Sequence, residues 1–236
     1  MNAGVQRLPG WLLPALAAAA VVLALRESFV GMALQWRGSS TYSYGILIAP
    51  IALFLLWRER HHLAAVPRTP DWRALLLMLP AGAAWILGIA LDLNVVHQFA
   101  AVALLVLAVW AVLGRQTFRI VWFPLAYLFL MVPVGDALVP TLMKWTADFA
   151  VIAVGLSGVP VFQDGFVFSL PSGDFEVIKA CSGIRFLMAT VAAGTVFAWV
   201  AYRSWRKRLL FVLASCIVPV LANLLRAYLV VMIVHL

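Results

Sequence analysis

Long apolar runs separated by short polar loops extend along the whole chain. Seven of these runs can each be extended to about 20 residues, the length that an α-helix needs to cross a bilayer. They are Trp11–Leu25, Tyr44–Trp57, Trp72–Leu91, Val95–Leu113, Phe118–Val134, Ser182–Tyr202 and Leu209–His235. The pattern predicts an all-α polytopic membrane protein with about seven transmembrane helices.

The segment between the fifth and sixth runs has a different pattern. Val139–Leu156 is apolar but carries Lys144 and Asp148, which favours a helix lying in the membrane interface, with an eighth span as the alternative. After it, Gly165–Leu170 and Asp174–Ile178 are rich in β-branched and aromatic residues and flank a Pro-Ser-Gly turn. These features predict a short β-hairpin whose second strand leads to Cys181.

Composition agrees with an integral membrane protein. The chain is 65% hydrophobic, whereas soluble domains are about half apolar, so residues 1–236 are expected to form a single transmembrane domain. The formal charge of +8 does not indicate nucleic acid, because the basic residues lie in short loops. Spacings typical of metal ligands, of a G-x-S-x-G elbow and of H-E-x-x-H are missing from the sequence. We therefore expect no metal and no cofactor.

The loop charges predict an orientation in the membrane. If the N-terminus is cytoplasmic, the cytoplasmic loops hold eleven basic residues and the outer loops hold four. The eleven are Arg7, Arg58, Arg60, Arg68, Arg73, Arg115, Arg119, Arg203, Arg206, Lys207 and Arg208, and the four are Arg26, Arg37, Lys144 and Lys179. The positive-inside rule therefore predicts that the segment from Gly135 to Ala180 lies outside, with the hairpin.

Cys181 and Arg185 lie where this outer segment enters the sixth predicted span. A helix N-terminus and a nearby cation both favour the reactive thiolate, and Arg185, four residues on, is expected to share a helix face with Cys181. We interpret Cys181 as a candidate nucleophile and Arg185 as a supporting residue. The alternatives are a buried packing cysteine and an arginine that extends to the interface. Cys216 should lie about 20 Å deeper, so we expect two free thiols.

The last predicted span carries a second polar group. Arg226 lies about 25 Å along this helix from Leu209, at the depth expected for Cys181, and Asn223 shares nearly the same face. An arginine and an asparagine within a span predict a functional site, with a structural hydrogen-bonded pair as the alternative. His235, nine residues after Arg226, should face the opposite way, so we expect no catalytic role for it.

Short motifs along nearly the whole chain resemble those of a known family. They are Tyr44-Gly-Ile-Leu-Ile-Ala-Pro50, Leu130-Met-Val-Pro-Val-Gly-Asp136, Thr146-Ala-Asp148, Gly158-Val-Pro-Val161, Leu170-Pro-Ser-Gly173, Ala180-Cys-Ser-Gly-Ile-Arg185 and Asn223-Leu-Leu-Arg226. In these motifs the chain resembles an exosortase, most closely of the exosortase A type. The last two motifs, in this order, are the most specific part of the resemblance.

The resemblance implies a multi-pass enzyme of the bacterial inner membrane with sortase-like chemistry on an unrelated fold. Such enzymes process PEP-CTERM proteins, whose C-terminal signal consists of a Pro-Glu-Pro motif, a transmembrane helix and a basic tail. The implied catalytic cysteine is Cys181 and the implied arginine is Arg226. The family's histidine lies in a segment beyond His235, so we expect the domain to be truncated before it.

Together, the residues and the resemblance predict a cysteine protease or transpeptidase that acts at the periplasmic face. Cys181 would form a thioester with the substrate, and Arg226 would stabilise the oxyanion or orient the thiolate. Two alternatives stay open: a non-enzymatic membrane component of exopolysaccharide export, and an anion transporter that uses Arg185 and Arg226. The scissile bond, the acceptor nucleophile and the oligomeric state do not follow from the sequence.

Overall fold

The computed structural model describes residues 11–64, 66 and 69–235. Within these ranges the chain forms nine α-helices and three short β-strands. The helices are α1 (Leu12–Ala24), α2 (Arg26–Gly38), α3 (Gly45–Arg58), α4 (Arg60–Ala64), α5 (Trp72–Ala90), α6 (Asn94–Tyr127), α7 (Val139–Leu156), α8 (Ile184–Ala201) and α9 (Trp205–His235), and the strands are β1 (Phe162–Asp164), β2 (Val167–Leu170) and β3 (Gly173–Glu176). The helices and strands divide into two compact units, one up to Pro133 and the other from Val134.

The predicted membrane fold is confirmed. Five helical segments among the described residues are long and apolar enough to cross a bilayer, and a sixth results if α1 and α2, which are bent by 82°, count as one span. The five are Trp72–Ala90, Asn94–Met131, Asp136–Leu156, Lys179–Ala201 and Trp205–His235. The segment Asp136–Leu156 includes α7, so its length and composition also suit the spanning alternative. α3 is shorter, at 14 residues.

A sharp break at Gly114 divides α6 into two helices. Gly114 has φ 79° and ψ 168°, and the rings of Phe99 and Phe129 stack with centroids 6.2 Å apart. Thirty residues of straight helix would separate them by about 45 Å, so the two halves run antiparallel. They correspond to the predicted spans Val95–Leu113 and Phe118–Val134. Glycine is required at the corner because a Cβ there would overlap the carbonyl oxygen of Thr69.

The basic loops of the first unit gather at the end that contains Gly114. The backbone N–H of Asp71 donates to the carbonyl of Ala111, which joins the start of α5 to this corner. α3 begins at the opposite end, where Trp36 contacts Gly45 and donates to the Met131 carbonyl. Arg58, Arg73 and Arg115 therefore share one end of the unit. Which face of the membrane this end occupies stays a prediction.

In the second unit, α8 and α9 pack as an antiparallel pair. Gly194 lies against Ser215, and Gly183, just before α8, lies against Asn223. With 31 residues, α9 is about 46 Å long, longer than the roughly 30 Å hydrocarbon core. Its C-terminal part extends beyond the start of α8, where Tyr228 hydrogen-bonds Ser157, which follows α7.

The predicted hairpin is part of a larger sheet. β2 and β3 pair as expected, with Phe168 opposite Phe175, but β1 adds a third antiparallel strand in the order β1-β2-β3. The prediction of two strands was therefore incomplete. β1 has only three residues, too few to show an alternating pattern, and it is recognisable only by its pairing with β2. Phe168 and Leu170 of the sheet pack with Ala147 and Ala150 of α7.

Candidate active site

Cys181 lies just before α8 rather than within it. It ends a 3-10 turn formed by Lys179–Cys181, and its backbone N–H donates to the carbonyl of Ile178. Gly183 then adopts a left-handed conformation with φ 73° and caps α8. The expectation that Cys181 and Arg185 share one helix face was therefore wrong, because the helical spacing rule does not hold across a left-handed residue.

Asn223 fixes the backbone at Cys181. Its Nδ2 donates to the Cys181 carbonyl over 2.8 Å and to Thr146 Oγ1 over 3.3 Å. Asn223 is 6% exposed and Thr146 is fully buried, and the Thr146 hydroxyl in turn donates to the Leu142 carbonyl. Buried polar groups are costly unless they are hydrogen-bonded. The buried amide thus joins α7, α9 and the turn that carries the cysteine.

Gly183 and Asn223 are mutually constrained. A Cβ on Gly183 would lie 2.6 Å from Asn223 Cγ and 2.8 Å from its Cβ. The left-handed conformation also disfavours any side chain at this position. The Cys-Ser-Gly sequence therefore allows the chain to pass directly over the asparagine that holds the carbonyl of Cys181.

The Cys181 side chain lies at the edge of an apolar cluster. It is half-buried, and it packs against buried residues of α7 and the sheet region that include Ala147, Ala150 and Val177. Both cysteines are free, as expected, and Cys216 is also half-buried, inside α9. α8 begins three residues after Cys181, at Ile184.

Two arginines approach the same aromatic ring near this turn. The guanidinium carbon of Arg185 lies 5.1 Å from the centroid of the Phe186 ring, and that of Arg226 lies 5.9 Å from it. Both arginines are exposed. Among the described residues, neither guanidinium forms a hydrogen bond or an ion pair. Arg226 is three residues, about 4.5 Å of helix rise, beyond Asn223.

The turn has further support at the surface. Lys179 Nζ forms an ion pair with Asp136 Oδ1 at 2.7 Å, but both side chains are largely exposed, and such pairs contribute little to stability. Ser182 Oγ donates to the Lys179 carbonyl over 2.7 Å. These contacts close the turn around Cys181 from its N-terminal side.

His235 lies with the sheet. Its Nδ1 is 2.8 Å from Ser172 Oγ, in the turn between β2 and β3. α9 continues unbroken from Arg226 to His235, which places the histidine about 13 Å further along the axis. No hydrogen bond joins it to Cys181 in the part of the chain that the structure describes. Its exclusion from catalysis stays a prediction.

The structure adds two residues that the sequence did not single out for a role at the site. Thr146 belongs to a motif noted in the resemblance, but its partner Asn223 is 77 positions away and no local pattern connects them. Phe186 is one of many aromatic residues in the chain, and its proximity to the Arg226 guanidinium depends on how α8 meets α9. Arg185, Asn223 and Arg226 were identified from the cost of polar groups in a span.

One family model matches the chain, that of the transmembrane exosortases (Exosortase_EpsH), over residues 36–236. No curated protein matches the chain, and no solved structure matches it. The match covers most of the chain, including every residue described at the site. The chain belongs to the transmembrane exosortase family.

Proposed function

We propose that this membrane protein is a cysteine peptidase or transpeptidase that cleaves the C-terminal sorting signal of exported PEP-CTERM proteins, with Cys181 as the nucleophile. The observation that carries the proposal is the contact between Asn223 and the Cys181 carbonyl. It holds the half-buried cysteine at the start of α8, and Asn223 is one helical turn from the exposed Arg226. A candidate thiol and a cation are thus present at the same level of the α8–α9 pair.

The chemistry follows from these two groups. The Cys181 thiolate attacks the scissile carbonyl carbon, and the carbonyl electron pair moves to oxygen. The Arg226 guanidinium stabilises this oxyanion. When the intermediate collapses, the C–N bond breaks, the amine leaves with the proton that the thiol released, and a thioester remains. An acceptor amine or hydroxyl, or water, then attacks the thioester, the C–S bond breaks, and the acceptor's proton restores the Cys181 thiol.

The proposed substrate, like the enzyme, spans the membrane. Its transmembrane helix would lie beside α8 and α9 with its basic tail in the cytoplasm, so that the Pro-Glu-Pro segment reaches Cys181 at the periplasmic face of a bacterial inner membrane. Arg185 supports the site through its own contact with the Phe186 ring. Positively charged loops are retained in the cytoplasm, and this gives enzyme and substrate the same orientation.

The decisive experiment is co-expression with a reporter that carries a PEP-CTERM tail, read as a change in reporter size. We expect Cys181→Ala to abolish processing while the protein still accumulates in the membrane. Cys216→Ala is the matched control, because it removes the other half-buried thiol, and it should leave processing intact. Full processing by Cys181→Ala would exclude the proposed mechanism, and a wild type that binds the reporter without cleaving it would favour a non-enzymatic role.

A further inference from the structure

A second polar site lies within the first unit. A cavity of about 230 Å³ is bounded by α2, by the loop between α5 and α6 and by the start of α6. Since liquid water occupies about 30 Å³ per molecule, the cavity has room for a small organic group. Its polar lining consists of Glu27, Gln35, Asp92, Asn94, His97 and Gln98. Glu27, Asp92 and Asn94 are exposed and form its rim.

A buried acceptor, the side-chain oxygen of Gln98, belongs to a residue that lines this pocket. Gln98 is 1% exposed, and its Oε1 has no hydrogen-bond partner among the described residues. A buried carbonyl oxygen that loses water without gaining a donor is destabilising. Gln98 lines the cavity, so a small rotation of its side-chain amide would bring this oxygen to the cavity surface, where a ligand N–H would satisfy it.

Two carboxylates at the rim are available to a ligand. Neither Glu27 nor Asp92 forms an ion pair in the described part of the chain. Asp92 follows α5 with φ 53°, and its N–H and that of Leu93 donate back to the carbonyls of Ile89 and Gly88. Glycine usually occupies this left-handed position after a helix, and aspartate is one of the few other residues that tolerate it.

His97 has a hydrogen-bond partner at each of its two ring nitrogens. The indole N–H of Trp85 donates to Ser28 Oγ over 2.9 Å, and Ser28 Oγ lies 2.9 Å from His97 Nδ1. His97 Nε2 lies 3.2 Å from Asn94 Oδ1. The described lining of the pocket holds two carboxylates and neither a lysine nor an arginine.

We propose that this pocket binds a primary ammonium group, with its N–H donors directed to Gln98 Oε1 and to the carboxylates of Asp92 and Glu27. A metal ion is a poorer fit, because no group of three His, Cys, Asp or Glu residues in the described ranges is arranged to hold one. The assignment rests on the first unit alone and is independent of the chemistry proposed for Cys181.

Two sources could supply the ammonium group, a small soluble amine or an ethanolamine lipid headgroup. Leu91 and Leu93, on either side of Asp92, are 64% and 47% exposed. Apolar side chains that face outward beside the rim bring this loop to the lipid surface, which makes the pocket accessible to headgroups as well as to solutes.

The test uses the full chain in nanodiscs of phosphatidylcholine, titrated with ethylammonium or with tetramethylammonium, which has the same charge but no N–H donor. We expect ethylammonium to raise the thermal unfolding temperature saturably and tetramethylammonium to have no such effect. Asp92→Asn keeps a residue that tolerates the left-handed conformation and should weaken ethylammonium binding about tenfold. Gln98→Leu should weaken it similarly. The matched control is Asp71→Asn, which removes an acid at the other end of α5 and keeps an N-cap acceptor.

A second experiment distinguishes a lipid headgroup from a soluble amine as the source of the ammonium group. Native mass spectrometry from micelles containing equal amounts of phosphatidylethanolamine and phosphatidylcholine should show selective retention of the ethanolamine lipid, lost in Asp92→Asn, if a headgroup is the ligand. Ethylammonium binding without lipid selectivity would support a soluble amine. Equal responses to ethylammonium and tetramethylammonium, or unchanged ethylammonium binding in folded Asp92→Asn and Gln98→Leu, would overturn the proposal. Stabilisation by Ca²⁺ alone, lost in Asp92→Asn, would also overturn it.

Discussion

The junction at Cys181 and the loop at Asp92 share an unusual backbone conformation, but the surroundings of that conformation differ. In each, the chain passes through one left-handed residue next to a helix end, Gly183 with φ 73° before α8 and Asp92 with φ 53° after α5. At Gly183 the side chain of Asn223 occupies the space that a Cβ would need. At Asp92 the position is exposed and the carboxylate lines a pocket.

The difference separates two reasons for an unusual backbone conformation. At Gly183, glycine allows two segments to approach so closely that Asn223 can hold the Cys181 carbonyl. At Asp92, glycine would cost less conformational strain, and the carboxylate found there instead lines the pocket. A substitution to or from glycine should therefore affect packing at the first site and binding at the second.

The largest effect is expected for Gly183→Ala. Left-handed strain of about 1–2 kcal/mol adds to an overlap with Asn223 that should displace the Cys181 turn, and processing of the PEP-CTERM reporter should fall below detection. Gly165→Ala is the matched control, because Gly165 has φ 62° but a Cβ there would have no described atom within 4 Å. It carries the same strain without the overlap, so its processing should remain near that of the wild type.

A double-variant cycle sharpens this prediction. Asn223→Ala removes the amide, whose Cγ is the closest atom to a methyl group on Gly183, and keeps only the Cβ contact at 2.8 Å. It also leaves the Cys181 carbonyl without its donor, a loss of about 1–3 kcal/mol. We expect the Gly183→Ala, Asn223→Ala pair to unfold at a higher temperature than the sum of the single effects predicts. Strict additivity would show that the two residues do not meet.

Arg226→Lys should cause the next largest loss. Lysine keeps the charge but not the planar fork of N–H donors, so we expect processing to fall by about one to two orders of magnitude at unchanged protein level. Arg185→Lys is the control, because Arg185 approaches the same Phe186 ring, and it should cost less. Equal activity of Arg226→Lys and the wild type would reduce the role of Arg226 to that of a point charge.

At Asp92 we expect a smaller effect, and a gain of stability rather than a loss of activity. Asp92→Gly relieves the left-handed strain. It should leave the free energy of unfolding unchanged or raise it by up to about 1 kcal/mol, and the unfolding temperature should change in the same direction. Thermal unfolding without added amine measures this. A clear loss of stability would mean that the Asp92 side chain supports the fold itself.

The smallest effect is expected for His235→Ala. The variant loses a single hydrogen bond to Ser172 at a site beyond Arg226 on α9, so reporter processing should stay within about twofold of the wild type. Ser172→Ala removes the same hydrogen bond from the other side and should behave alike. If only His235→Ala abolished processing, the imidazole would have a chemical role despite its distance along the helix.

The apolar runs alone determined the fold class and most helix positions, because burial in a bilayer demands about 20 apolar residues whatever their neighbours are. The same cost of polar groups in lipid identified Asn223 and Arg226. The sequence pattern could not reveal β1, because its three residues show no alternation. It could not reveal the amphipathic α2 either, because α2 buries only one face and so lacks a continuous apolar run.

Only the tertiary structure decided how the site is built. The shared face expected for Cys181 and Arg185 depends on regular helix, and the left-handed Gly183 breaks it because Asn223, 40 residues away, takes the space beside it. The contacts of Asn223 with Thr146 and with the Cys181 carbonyl join three segments that are distant in sequence. Local propensity carries no information about such contacts, because they exist only once the helices have packed.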